Sequence, residues 1–258
     1  MDLITVTGVR VPHSRAELTL APGERVLGGG TWLYSEPQPE VRTLVDLTAM
    51  GWEPITRTND TLVIAATCPV ATLRDLPESP LFRQCADSLL ASWKIQNIAT
   101  VGGNIATALP AGPMTSLAAA LDGTAVIWSA DSERRMPVAE FVTGIRTTAL
   151  EPGELLRAVE LPLASLHRTA FRRIALSPLG RTGTLVVGRR DASGLTVITV
   201  TGGTTRPQQL RFPTLPSAAE VTAAVDGIDT WFGDAHGAPD WRHAMSRRFA
   251  LEIVEELS

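Results

Sequence analysis

Two glycine-rich stretches are the most informative features of this sequence: Leu27-Gly28-Gly29-Gly30-Thr31-Trp32-Leu33 and Thr100-Val101-Gly102-Gly103-Asn104-Ile105. The first directly follows a predicted strand, and its consecutive glycines allow positive φ and a close approach of backbone N–H groups to a phosphate. The second repeats paired glycines beside a hydroxyl and an amide side chain. Neither stretch matches GxGxxG or GxxxxGK[ST], which disfavours a Rossmann or P-loop site. One such stretch alone is most simply a tight turn or bulge, whereas two in one chain favour a large diphosphate ligand.

The composition limits the classes of protein that remain. A length of 258 residues suits one large domain or two modest ones, with 44% apolar and 19% charged residues as in folded globular chains. The formal charge of −4 argues against a nucleic-acid binder. Of the 23 basic residues only one, Lys94, is lysine, which we attribute mostly to codon bias.

Targeting and metal-binding signals are also missing from the sequence. The N-terminus has no basic region followed by an apolar one, and no apolar run reaches the length of about 18–20 residues that spans a membrane. Cys68 and Cys85 do not have CxxC spacing and, with four scattered histidines, form no zinc or iron–sulfur ligand set. We therefore expect a soluble, cytoplasmic, metal-free protein, with both cysteines as buried structural thiols.

Periodicity and turn residues predict alternating strands and helices without regular βαβ order. The predicted strands lie at 3–11, 25–27, 42–47, 61–66, 124–128, 155–161, 184–189 and 195–201. The predicted helices lie at 79–92, 114–121, 139–141, 217–225 and 240–257. A change in composition marks 162–167 as a linker, and antiparallel strands are expected between 171 and 204. This pattern indicates an α+β fold in two or three subdomains.

The two glycine motifs resemble those of the FAD-binding (medium) subunit of the molybdenum hydroxylases, the xanthine dehydrogenase and carbon monoxide dehydrogenase family. In that family, L-A-G-G-T/H-x-L and T/S-I/V-G-G-N-I hold the FAD diphosphate, and both occur here in the same order. Further matches are Leu44-Val45-Asp46-Leu47 to the family's V-D-L strand and 150–156 to its L-x-P-G/E-E-L/I-L stretch. The resemblance covers nearly the whole chain.

The resemblance implies a fold and a domain organisation. It implies an FAD-binding fold of the PCMH, or vanillyl-alcohol oxidase-like, type over residues 1–163, in two α/β subdomains at about 1–50 and 51–163. A C-terminal α+β domain with an antiparallel sheet and helices would follow over 166–258.

The resemblance also assigns cofactor-binding residues. The first motif would wrap the diphosphate, the second would add further hydrogen bonds, Leu156 would pack against the isoalloxazine, and Arg172 would stand where the family usually has a lysine near the flavin. A positive charge there would stabilise the anionic reduced flavin. The complete predicted set is Leu27, Gly28, Gly29, Gly30, Thr31, Trp32, Thr100, Gly102, Gly103, Asn104, Thr107, Leu156 and Arg172. The chain departs from the family at Pro113, where an aspartate usually binds the FAD sugar region, and in the segment 174–180.

The sequence leaves three functions open. The first is an FAD-binding redox subunit that passes electrons from a partner's [2Fe–2S] clusters through FAD to NAD⁺, oxygen or a quinone, with the substrate hydroxylated on a molybdopterin subunit. The second is an autonomous FAD-dependent oxidoreductase that acts on a small molecule at its own flavin. The third is a scaffold that has lost FAD. No catalytic acid or base can be assigned.

Overall fold

The first three strands form a parallel sheet in the computed structural model, which describes residues 3–258. These strands are β1 (Gly8–Arg10), β2 (Glu24–Leu27) and β3 (Thr43–Asp46). β3 lies between the other two and buries Leu44 and Val45. We call this the N-terminal sheet; the first glycine motif leaves it directly at the end of β2.

A five-stranded antiparallel sheet, the central sheet, follows in the order β4-β5-β10-β6-β7. Its strands are β4 (Ile55–Arg57), β5 (Thr61–Ala65), β6 (Thr124–Trp128), β7 (Glu133–Pro137) and β10 (Leu155–Pro162). β10 is the middle strand and carries an irregularity between Leu156 and Ala158. A small hairpin, β8 (Val142–Gly144) and β9 (Thr147–Thr148), lies in the connection from the edge strand β7 to the middle strand β10.

Five helices accompany the central sheet: α1 (Pro80–Asp87), α2 (Trp93–Ile98), α3 (Val101–Ala106), α4 (Pro113–Ala120) and α5 (Val138–Phe141). Short 3₁₀ turns occur at Arg15–Glu17, Leu33–Ser35, Leu47–Met50, Val70–Asp75 and Leu163–Leu166. All eight residues of α4 are buried, because this helix lies between the central region and the last sheet of the chain. The Ser116 hydroxyl on α4 is 2.7 Å from the Thr201 hydroxyl of that last sheet.

The last sheet, called the C-terminal sheet, is antiparallel in the order β11-β12-β13-β14. Its strands are β11 (Thr169–Ile174), β12 (Thr184–Arg190), β13 (Thr196–Thr201) and β14 (Gln208–Phe212). The helices α6 (Ala218–Asp226) and α7 (Pro239–Leu257) pack on the face opposite α4. A Cβ on Gly188 of β12 would lie 3.0 Å from Leu257, so this glycine permits close packing of α7. Among residues 3–258, no helix is both long enough and apolar enough to cross a bilayer.

A charged cluster joins the C-terminal sheet to the turn after α4. Asp122 in that turn pairs with Arg189 of β12 and Arg211 of β14, and accepts a 2.9 Å hydrogen bond from the Gln209 side chain. Arg189 is only 1% exposed and also pairs with Asp191. We call Asp122, Arg189 and Arg211 the Asp122 cluster, in which one carboxylate pairs with arginines from two different strands.

Most predicted elements occur where the sequence pattern placed them, among them β6, α4, α6 and α7. Cys68 and Cys85 are buried and unpaired, as expected, and burial raises the pKa of the Cys68 thiol to about 11. The helix predicted at 79–92 ends earlier, at Asp87. The main correction concerns the second glycine motif, which is not a loop: Thr100 caps the helix α3 and the paired glycines belong to its first turn.

Candidate functional site

A cavity of about 1120 Å³ opens between the N-terminal sheet, the central region and the loop that joins β11 to β12. It exceeds the roughly 300–1,000 Å³ typical of small-molecule sites, so it has room for a dinucleotide-sized ligand. The predicted binding residues that line it are Leu27, Gly28, Gly29, Gly30, Thr31, Trp32, Thr100, Gly102, Gly103, Asn104, Thr107 and Leu156. The fold therefore brings both glycine motifs to one wall.

The first motif contacts Thr100 of the second motif and Ile98 at the end of α2, which explains two of its glycines. A Cβ on Gly28 would lie 2.6 Å from the Thr100 hydroxyl oxygen. A Cβ on Gly29 would overlap the carbonyl oxygen of Ile98 and lie 2.6 Å from its carbonyl carbon. Gly30 has a φ of +70°, the left-handed region that glycine adopts without strain. Gly28 is thus required by its close approach to the Thr100 side chain, Gly29 by its close approach to the Ile98 backbone, and Gly30 by its left-handed conformation.

The first motif presents backbone donors that lack acceptors. Within residues 3–258, the N–H groups of residues 29–32 donate no hydrogen bond to backbone or side chain. Backbone N–H groups are normally satisfied, and a run of free ones beside a cavity forms an anion-binding concavity. The indole Nε1 of Trp32 is also buried without an acceptor. This wall of the cavity therefore favours a ligand with several oxygen acceptors.

The second motif contributes differently, because its backbone donors are already used. The N–H groups of Val101 and Gly102 donate to the carbonyls of Cys68 and Ala66, each at 2.9 Å. The N–H of Gly103 donates to the Thr100 hydroxyl oxygen at 3.1 Å. A Cβ on Gly102 would lie 2.7 Å from the Ala66 Cα, so this glycine allows α3 to pack on the end of β5. The second motif therefore offers the ligand side-chain groups rather than N–H groups.

Asn104 and Thr107 both support the local fold as well as lining the cavity. The side-chain Oδ1 of Asn104 accepts a 3.0 Å hydrogen bond from the N–H of Met114, at the start of α4. The side-chain Nδ2 donates no hydrogen bond within residues 3–258 and remains a donor for a ligand. The Thr107 hydroxyl donates to the Gly103 carbonyl at 2.6 Å. Asn104 thus connects the cavity wall to the buried helix α4.

Substituting Thr100 by valine tests the cap on α3. The change keeps the shape of the side chain but removes the oxygen that accepts from Gly103, so we expect a loss of about 1 kcal/mol in unfolding free energy. Thermal unfolding should show a midpoint lower by roughly 2–4 °C. Thr100→Ser keeps the hydroxyl and is the matched control; an equal loss in both variants would contradict the capping role.

Glu154 lines the cavity from the 150–156 segment. Its carboxylate accepts hydrogen bonds from Arg134 at 2.7 and 2.6 Å, and these hold its pKa below the usual range. It is therefore ionised at neutral pH and is unsuited to act as a general acid. The neighbouring Leu156 is 4% exposed and contributes to the main apolar core as well as to the cavity wall.

Arg172 does not reach the cavity, which corrects its predicted position beside the ligand. Its guanidinium pairs with Glu252 at 2.9 Å and Glu256 at 2.7 Å on α7, and these carboxylates raise its pKa. Successive side chains of a strand point to opposite faces, so the next residue, Arg173, faces the other way. Arg173 donates to Thr182 at 2.7 Å, in the loop that lines the cavity.

Two arginines that carry no sequence motif line the cavity instead. Arg146 lies at the tip of the β8–β9 hairpin with a φ of +57°, unusual for a residue other than glycine, and Arg181 lies in the β11–β12 loop. Backbone strain of this kind is often found at functional sites. Isolated arginines in loops give no signal in the sequence, because only the tertiary fold brings them to the cavity.

Comparison with known proteins gives a family match over more than half of the chain. Residues 12–164 match the family model described as "FAD binding domain in molybdopterin dehydrogenase". The nicotinate dehydrogenase FAD-subunit of Eubacterium barkeri is 32% identical over 128 residues, which cover 46% of this chain and 43% of that protein. The glyceraldehyde dehydrogenase medium chain of Sulfolobus acidocaldarius is 29% identical over 89 residues, 34% of this chain and 32% of that one. The aligned parts thus span less than half of either relative.

Solved structures share the fold along almost the whole chain. Reconstituted CO dehydrogenase from Oligotropha carboxidovorans superposes with a TM-score of 0.85 at 23% identity, covering 96% of each chain. Quinoline 2-oxidoreductase from Pseudomonas putida 86 superposes with a TM-score of 0.83 at 22% identity, covering 99% of this chain and 97% of that one. These superpositions confirm the expected fold of mixed helices and strands.

Proposed function

Because the chain belongs to the family of FAD-binding domains in molybdopterin dehydrogenases, we propose that it is the FAD-binding redox subunit of a molybdenum-hydroxylase-type oxidoreductase. Membership of this family confirms FAD as the cofactor and a dehydrogenase component as the class of protein. The observation that carries the proposal for this site is the run of N–H groups at 29–32 that have no partner within residues 3–258 and lie on the wall of a cavity large enough for a dinucleotide.

The residues of the cavity suit a diphosphate-containing cofactor. The N–H groups at 29–32 and the buried Trp32 Nε1 would donate to phosphate oxygens, and the Thr100 hydroxyl and the Asn104 side-chain amide would donate from the adjoining second motif. Leu156 offers apolar surface. FAD supplies the capacity to accept two electrons and release them singly or together, while the protein binds and orients it.

The route of the electrons is the part of the proposal that involves partners. Two cysteines cannot supply the four thiolates of a typical [2Fe–2S] cluster. We therefore assign the clusters to an iron–sulfur subunit and the substrate to a molybdopterin subunit, with NAD⁺, oxygen or a quinone as the final acceptor. The terms "medium chain" and "FAD-subunit" in the names of relatives support a multi-subunit assembly.

The domain organisation belongs to the same proposal. We assign residues 1–163 to an FAD-binding domain of the PCMH type, with subdomains at about 1–50 and 51–163, and residues 166–258 to a C-terminal α+β domain. The separate N-terminal, central and C-terminal sheets support this division.

A flavin titration tests the cofactor assignment. The full chain, purified and freed of flavin, is titrated with FAD, and free and bound flavin are separated by gel filtration. We expect one FAD per chain, with a shifted flavin absorption spectrum. A folded protein that retains no flavin at saturating FAD would contradict the proposal and favour a scaffold without cofactor.

The subunit role requires a second measurement. The FAD-loaded chain is mixed anaerobically with a reduced [2Fe–2S] protein of the kind proposed as its partner, and flavin reduction is followed by absorbance. We expect reduction that saturates with the iron–sulfur protein. Rapid flavin reduction by a small organic substrate without any partner would instead support an autonomous flavoenzyme.

A further inference from the structure

Two arginines from distant parts of the chain meet over Trp32. The guanidinium carbon of Arg146 lies 5.9 Å from the centre of the indole, and that of Arg181 lies 5.6 Å from it. Both distances are within the range at which a cation is attracted by an aromatic face. All three residues line the cavity, and they come from the β8–β9 hairpin, the β11–β12 loop and the first glycine motif.

The two arginines differ in how their charge is balanced. Arg146 pairs with Glu36 at 2.9 Å, just beyond the first glycine motif. Arg181 makes no ion pair and donates no side-chain hydrogen bond within the described part of the chain. An arginine has five N–H donors and keeps its charge at any ordinary pH. Arg181 is therefore the cation at this wall whose charge and donors are uncommitted.

The groups next to Arg181 are donors as well. Trp32 Nε1 is buried with no acceptor, and the N–H groups of 29–32 are unpaired within residues 3–258. A guanidinium, an indole N–H and a row of backbone N–H groups together favour a compact ligand with several negatively charged oxygens. A diphosphate has this chemistry, whereas an uncharged flavin ring does not.

We propose that Arg181 recognises the diphosphate of the bound dinucleotide, and that it makes this site selective for FAD over flavins that lack the diphosphate. The inference rests on the proposed function and adds to it a residue outside both glycine motifs. Arg181 lies in the β11–β12 loop, and Trp32 lies in the connection between β2 and β3. The diphosphate would therefore be held by two separate parts of the fold. Arg146, already neutralised by Glu36, would contribute less.

Affinities for FAD and for riboflavin in Arg181→Gln test this proposal. Binding is followed by the quenching of flavin fluorescence, and unfolding without flavin is measured in parallel. We expect the dissociation constant for FAD to rise about tenfold, as for the loss of one charge-assisted contact, while that for riboflavin stays the same. Raising the salt concentration should weaken FAD binding less in the variant than in the wild type.

Two further variants complete the experiment. Arg206→Gln removes another exposed arginine that makes no ion pair within the described residues and does not line the cavity, and should leave both affinities unchanged. Arg181→Lys keeps the charge and should restore part of the FAD affinity. Equal loss of FAD and riboflavin binding, or unchanged FAD binding in Arg181→Gln, would overturn the proposal. A wild-type protein that binds neither flavin would instead contradict the proposed function.

Discussion

Asp122→Asn should lower the free energy of unfolding by about 3 kcal/mol, the lower end of the range for breaking a buried ion pair, because Arg189 is buried whereas Asp122 is 30% exposed. Asn tolerates the left-handed backbone that Asp122 adopts, with a φ of +54°, so the effect is attributable to charge. The substitution leaves Arg189, only 1% exposed, with Asp191 as its single carboxylate partner. The Asp122 cluster would then hold a buried cation that has lost one of its two carboxylate partners.

Thermal and urea unfolding measure this effect. For a chain of this length each 1 kcal/mol corresponds to roughly 2–4 °C in the melting midpoint, so a shift of several degrees is expected. Asp131→Asn is the matched control, because Asp131 is exposed and forms no ion pair within the part of the chain described. Equal midpoints for Asp122→Asn and the wild type would show that the Asp122 cluster does not stabilise the fold.

Gly29→Ala should reduce FAD affinity at least tenfold and also destabilise the protein. The new Cβ would overlap the Ile98 carbonyl oxygen, which belongs to the backbone and cannot rotate away. The first glycine motif must therefore shift away from the end of α2, which costs about 1–3 kcal/mol for overpacking. The shift would also move the N–H groups at 29–32 from their positions on the cavity wall.

Flavin content after purification and equilibrium titration with FAD measure this outcome. Gly227→Ala is the control, because a Cβ there would make ordinary contacts of 3.5 Å and Gly227 does not line the cavity. Wild-type FAD affinity in Gly29→Ala would mean that the close approach of the first motif to the end of α2 is unimportant for binding.

Sequence patterns predict correctly the elements whose pattern of apolar residues follows directly from their burial. The β-branched and apolar run of β6 and the periodicity of α7 each predict the observed element, because such patterns report directly on burial. The pairing of the two glycine motifs on one wall followed from the family resemblance. Helix α3 was missed, because the paired glycines indicate a turn, while their helical state depends on packing against Ala66.

The charged residues of the site were the least predictable from sequence. Arg172 and Arg173 are adjacent, and a difference of one position in a strand decides which face a side chain takes. The positions of Arg146 and Arg181 over Trp32 depend on contacts between elements far apart in the chain. No local sequence pattern predicts such a contact between distant elements.

The complete burial of α4 has a consequence for how the chain is synthesised. The Ser116 hydroxyl on α4 contacts the Thr201 hydroxyl on β13, and the two residues are 85 positions apart in the sequence. At about 5–20 residues per second, the ribosome needs roughly 4–17 s to make that length. During this interval the apolar face of α4 that awaits β12 and β13 is bare, which makes the nascent chain a target for chaperones and for aggregation.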